Sequence, residues 1–143
     1  MSKMKKPGDK ISAIDLKSSW EDILSTFDLL IENGHKLRPI RFLIRHIIEK
    51  GYSNDLYAGS SLWSLLISLP KDMTIDFSKT LRVEIDQLTS TVSFVYHSQL
   101  PRRETPEWKE ECQLTEIVDT FDYFIENQKD WKKIKNTTRQ QGV

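Results

Sequence analysis

Three histidines, one cysteine and a few neighbouring carboxylates are the side chains of this sequence whose types could do chemistry. His35, His46 and His97 stand apart from one another and from Cys112, with none of the spacings that metal ligands use, so no metal site is expected. His97 could reach Glu104 or Glu107, although closeness along the chain does not supply the geometry of an acid–base pair. Cys112 is flanked by Glu110 and Glu111, whose field disfavours a thiolate, and it reads as a buried structural residue. Glu84 and Asp86 share one strand face, but no apolar pocket is evident that would separate their pKa values for acid and base work. Gly59-Ser60-Ser61 lacks the second glycine of a nucleophile elbow and reads as a turn into a strand. The remaining glycines, Gly8, Gly34, Gly51 and Gly142, are isolated, which excludes the glycine-rich phosphate-binding motifs. No catalytic residue, no cofactor and no enzymatic activity are expected.

Charge is the more informative chemistry. The 143 residues carry 21 basic and 21 acidic side chains, so the net charge is zero and no global field favours nucleic acid or an anionic membrane. The distribution is uneven. Arg38, Arg41 and Arg45, with Lys36 beside them, form a basic stretch that offers the alternative of a nucleic-acid contact, and no RNA- or DNA-binding motif accompanies it. Residues 104–126 hold eight carboxylates against the one cation Lys109. Residues 18–33 add Glu21, Asp22, Asp28 and Glu32 without a lysine or arginine. If the helices carrying these residues are neighbours, their outer faces form an acidic surface that would speed encounter with a basic partner. A solvated face of an ordinary protein has the same composition.

The elements that must position these groups follow from periodicity. Residues 1–17, lysine-rich and weakly patterned, read as a flexible basic arm. Ser18 and Glu21 make a capping-box pattern, and Trp20, Ile23, Leu24, Phe27, Leu30 and Ile31 recur at helical spacing up to Asn33-Gly34. Pro39 suits the first turn of a second helix whose stripe is Ile40, Leu43, Ile44, Ile47 and Ile48, closed by Gly51. Residues 52–61 read as a polar turn region. Residues 62–69 read as a buried strand stopped by Pro70, with a short helix as the competing assignment. Leu81–Asp86 and Thr91–Tyr96 alternate as a hairpin in which Ile85 faces Val92, Val83 faces Phe94 and Leu81 faces Tyr96. Pro106–Gln113 fits a fourth strand or a helix, the strand being preferred. Residues 115–127 form a last helix, Trp131 packs just after it, and the tail 135–143 is polar and expected to fray. The fold class is α+β: two N-terminal helices, an antiparallel sheet of three to four strands and a C-terminal helix on one sheet face, in a single domain over residues 18–134.

The lysines of Met1–Lys6 are followed by no apolar h-region, the longest apolar stretch is far too short to span a bilayer, and a lone cysteine suits a reducing compartment. A cytoplasmic, non-membrane protein is expected. Its C-terminal half, with the hairpin Leu81-Arg-Val-Glu-Ile and Val92-Ser-Phe-Val-Tyr, then Glu107-Trp108 to Glu116, then Phe121-Asp-Tyr-Phe-Ile to Asp130-Trp131, resembles small bacterial immunity proteins of contact-dependent-inhibition and polymorphic-toxin systems. The resemblance implies a binding protein that blocks a cognate toxin domain, often a nuclease. A nuclease site is basic because it holds phosphates, and carboxylates can mimic that charge. Glu104, Glu107, Glu110, Glu111, Asp119 and Asp122 are the expected contact residues; the alternatives are an adaptor or regulatory interaction domain and a nucleic-acid binder using the second helix.

Overall fold

The computed structural model describes residues 5–99 and 105–134. In chain order the elements are α1 (Ala13–Glu32), α2 (Arg38–Glu49), a 3-10 turn (Tyr52–Asn54), β1 (Tyr57–Ser61), β2 (Ser64–Ser68), β3 (Thr80–Asp86), β4 (Thr91–His97), β5 (Trp108–Gln113), a second 3-10 turn (Leu114–Glu116) and α3 (Ile117–Asn127). The five strands form one antiparallel meander in the order β1-β2-β3-β4-β5. The α+β class and the C-terminal helix stand as expected, and the sheet is wider than the three to four strands expected.

Register explains which side chains are buried. The expected pairs Ile85–Val92, Val83–Phe94 and Leu81–Tyr96 are all present. Extending those rows outward brings Ala58, Ile67, Leu81, Tyr96 and Trp108 onto one face, and Ile85, Val92 and Cys112 likewise. Buried apolar residues of this face and of the three helices form one core. Along the helical layer α1 packs on β1, α3 packs on β5, and α2 packs against both other helices. The opposite sheet face presents Arg82, Glu84, Asp86, Thr91 and Ser93, with no helix on it among the described residues, and buries Ser68 and Thr80 at its far end.

The N-cap of helix α1 lies six residues before the expected one. Its N-cap is Ser12, whose Oγ accepts from Asp15 N at 3.2 Å while Asp15 Oδ2 accepts from Ser12 N at 2.8 Å, so the capping box is Ser12/Asp15 and not Ser18/Glu21. Residues 13–17 are therefore helix, and Ile11 and Leu16 are buried with Ile75 in a second small core against Tyr57 and Phe77. The boundary placed at residue 18 is corrected accordingly: the core begins by Ile11. The tail 135–143 lies outside the described residues.

Two further assignments change. Gly59-Ser60-Ser61 is not a turn but three of the five residues of β1, paired with β2, and the turn is Leu62-Trp63. Residues 62–69 shorten to the strand Ser64–Ser68, so the strand alternative holds over the helix. Pro106–Gln113 likewise supplies a strand, β5. Trp131 is fully buried just after α3 and donates to Tyr96 Oη at 3.1 Å, and Lys79 ties the same segment through Asp130 at 3.3 Å.

No helix among the described residues is long and apolar enough to cross a membrane.

Candidate functional site

The six expected contact residues do not form one patch. Glu104 lies outside the described residues. Glu110 and Glu111 are both exposed, but a strand sends successive side chains to opposite faces: Glu110 pairs with Phe94 on the helix side and Glu111 with Ser93 on the bare side. Asp122 Oδ1 accepts from His46 Nε2 at 2.8 Å, and so ties α3 to α2. His46 is half-buried in that bridge.

What remains is a flank where β5 meets α3. Glu107 enters β5 with its N–H bonded to Tyr96 O at 2.9 Å, and Glu110 follows on the helix side of the strand. Asp119 lies exposed in the first turn of α3, and Glu116 just before it accepts from Gln113 N at 2.9 Å. Glu107, Trp108, Tyr123, Phe124 and Asn127 line a small basin of about 170 Å³ at this flank, where Tyr123 is 57% exposed. Among the described residues, none of Glu107, Glu110, Glu111, Glu116 and Asp119 makes an ion pair.

Cys112 points inward from β5. Burial pushes its thiol pKa up, and the Glu116 and Glu110 carboxylates push it further while a hydrogen bond with Thr120 opposes them. The sequence-based expectation of a quiet thiol therefore stands, with burial ahead of charge as the cause and Glu116 in place of Glu111, which faces away.

The basic stretch is largely used within the helical layer. Arg41 pairs with Asp28 of α1, His46 bonds to Asp122 of α3, and Arg45 approaches Glu49 at 3.9 Å along its own helix. Arg38, Arg45 and the exposed Phe42 line a shallow basin on the outer side of α2. The expected acidic surface spanning the first and last helices does not form, because α2 packs between them.

Sequence reasoning missed a cluster at the end of the sheet where the β1–β2 and β3–β4 turns meet the α1–α2 loop. Leu62 is 80% exposed and Leu88 is 97% exposed, while the Trp63 ring lies 5.1 Å from that of His35. Lys36 N donates to Gln87 Oε1 at 2.8 Å and pins the loop to the hairpin. Leu62 takes a left-handed backbone, φ +55°, at a place that favours glycine. The signal available was an apolar pair between two serines, which was absorbed into a longer strand.

Glu84 and Asp86 lie on the bare sheet face as expected. Glu84 accepts from Ser64 Oγ at 3.2 Å, and Asp86 accepts from the amides of Leu88 and Thr89, so both carboxylates shape the sheet and its turn. Among the described residues, no group of three or more His, Cys, Asp or Glu is arranged to hold a metal ion. No protein-family model, no curated protein and no solved structure matches this chain.

Proposed function

We propose that this chain is a cytoplasmic, non-enzymatic binding protein of the immunity type, which neutralises a basic toxin domain through the acidic flank between β5 and α3. The observation that carries this reading is the set Glu107, Glu110, Glu116 and Asp119: exposed carboxylates along β5 and the start of α3, Glu107 beside the half-exposed ring of Tyr123, without a counter-ion among the described residues. Other acidic side chains of the molecule, Asp28 and Asp122, are matched within the fold; these are not. Like charges held close together raise the local potential and attract a cationic partner, and an aromatic ring at the centre offers low-entropy contact area. A nuclease-type toxin presents the phosphate-binding cations that such a surface would match.

The test is affinity capture of the tagged protein from its host at low and at high salt, with mass spectrometry of what is retained. One toxin-like chain, with association slowed by salt, is the expected result. With that partner in hand, Glu110→Lys combined with Asp119→Lys should slow association by about tenfold or more at low ionic strength. Retention of nucleic acid, or unchanged kinetics in the charge-reversed variant, overturns the reading.

A further inference from the structure

The two edges of the sheet are not equivalent. Beside β1 the N-terminal segment packs down: Lys5 N reaches Tyr57 Oη at 3.4 Å, and Ile11 and Ile75 bury part of the Tyr57 and Phe77 rings. β5 closes the other side of the sheet and has no strand beyond it among the described residues. Every second residue of such a strand points both its N–H and its C=O away from the sheet, which leaves a row of paired donors and acceptors able to take one more strand. Lys109, Glu110, Glu111 and Gln113 are all exposed along it. Among the described residues, no backbone–backbone hydrogen bond outside the β4–β5 ladder and the 3-10 turn after it involves residues 108–113, and at the far end Gln113 N–H is taken by Glu116.

We infer that the β5 edge is a docking site for an extended, lysine- or arginine-bearing segment of a partner protein, which adds to the sheet as a sixth strand. Charge decides the occupant. The added strand would run past Glu110 on the helix side and Glu111 on the bare side, with Glu107 at one end, against the single cation Lys109. A second copy of this chain fits poorly. Two-fold antiparallel pairing of β5 with itself, centred between Glu110 and Glu111, sets these two carboxylates opposite each other twice, and centred on Glu110 it opposes Glu110 to itself with Lys109–Glu111 pairs beside it; like charges placed directly opposite are destabilising. A cationic strand turns the same carboxylates into favourable cross-strand pairs, while the backbone ladder supplies affinity that does not depend on side chains. The inference rests on the acidic-flank reading and adds to it a backbone component with a definite direction.

Two capped seven-residue peptides separate the two ideas: one alternating lysine and threonine, the other identical except for a central proline, which cannot donate to a ladder. Each is titrated against the full chain at low ionic strength, with amide exchange followed across residues 108–113. The expected result is that the first peptide binds and slows exchange of alternate β5 amides, while the proline peptide binds about tenfold or more weakly. The exposed double variant Glu110→Lys/Glu111→Lys should weaken the first peptide by a similar factor, about tenfold. Equal binding of both peptides would overturn strand addition and leave the acidic-flank reading standing. Binding of neither would overturn both. A proline effect with no effect of the charge reversal would overturn the cationic occupant.

Discussion

Trp131 offers the sharpest test of where this domain ends. The residue follows α3, and its indole is fully buried, with ring centroids 5.0 Å from Phe124 and 5.8 Å from Tyr96, both near edge-to-face. Its N–H donates to Tyr96 Oη at 3.1 Å, a hydroxyl whose pKa burial pushes well above the ordinary tyrosine range, so that it stays a neutral partner. Trp131→Ala removes the ring and the hydrogen bond together and leaves a cavity between α3 and β4. Large aromatic truncations in cores cost about 3–5 kcal/mol, and the burial here favours the upper half of that range, about 4 kcal/mol. That is a large share of the roughly 5–15 kcal/mol that holds a domain folded. At a urea dependence of about 2 kcal/mol per molar, the unfolding midpoint followed by far-UV circular dichroism should fall by roughly 2 M. Trp131→Phe keeps a ring and loses the donor, and should cost about 1–2 kcal/mol, or somewhat under 1 M. A midpoint shift below about 0.5 M for Trp131→Ala would refute the placement of residues 128–134 in the core.

Leu62→Gly should stabilise the protein. The left-handed backbone costs a non-glycine residue about 1–2 kcal/mol, glycine returns about 0.5–1 kcal/mol of that through the entropy of the unfolded chain, and the exposed leucyl group contributes little burial, so a thermal midpoint higher by about 2–4 °C is expected. A lower midpoint would mean that the Leu62 side chain does structural work. Asp55→Asn should also stabilise, but only at neutral pH. Burial raises the Asp55 carboxyl pKa above 3.8, so the folded state holds its proton more tightly; the group's favourable contribution is complete below pH 3.8 and is lost as pH rises through the raised value. The gain from Asn is thus expected at pH 7 and should shrink toward pH 4, read from thermal midpoints across that range; a gain independent of pH would contradict it.

The parts of the fold that were legible in the sequence are those where one face is buried along a whole element. Strands β3 and β4 alternate because both sit mid-sheet with helices on one side only, and a slip of one residue would put Val83 and Phe94 into solvent. Edge strand β1 carried no such signal: of Tyr57–Ser61 only Ala58 is buried, and Gly59 with two serines imitates a turn. The start of α1 was hidden for a related reason. Its first turns bury Leu16 against a satellite core with Ile75 and Phe77, a contact between distant segments that no local period reveals. Ser19 is itself buried because its Oγ accepts from Ala58 N at 3.0 Å and donates to Leu16 O at 2.7 Å, so a polar residue at that position marks packing on β1 and not exposure.

The candidate site divides along the same line. Counting carboxylates along residues 104–126 treats them as equivalent, yet Asp122 finds His46 across 76 positions, much as Asp28 of α1 finds Arg41 on the next helix. Once α2 is placed between α1 and α3, two of its side chains have a structural purpose, since Arg41 pairs with Asp28 of α1 and His46 bonds to Asp122 of α3. The acidic excess then contracts to the flank of β5 and α3, where no cation of the described chain answers it. An edge strand is also where negative charge has a protective use, because it discourages pairing with another copy of the same edge. Protection and recognition need not compete here. A carboxylate row that repels its own copy is open to a cationic strand, so the side chains that keep the free chain from pairing with itself are the ones that would select its partner.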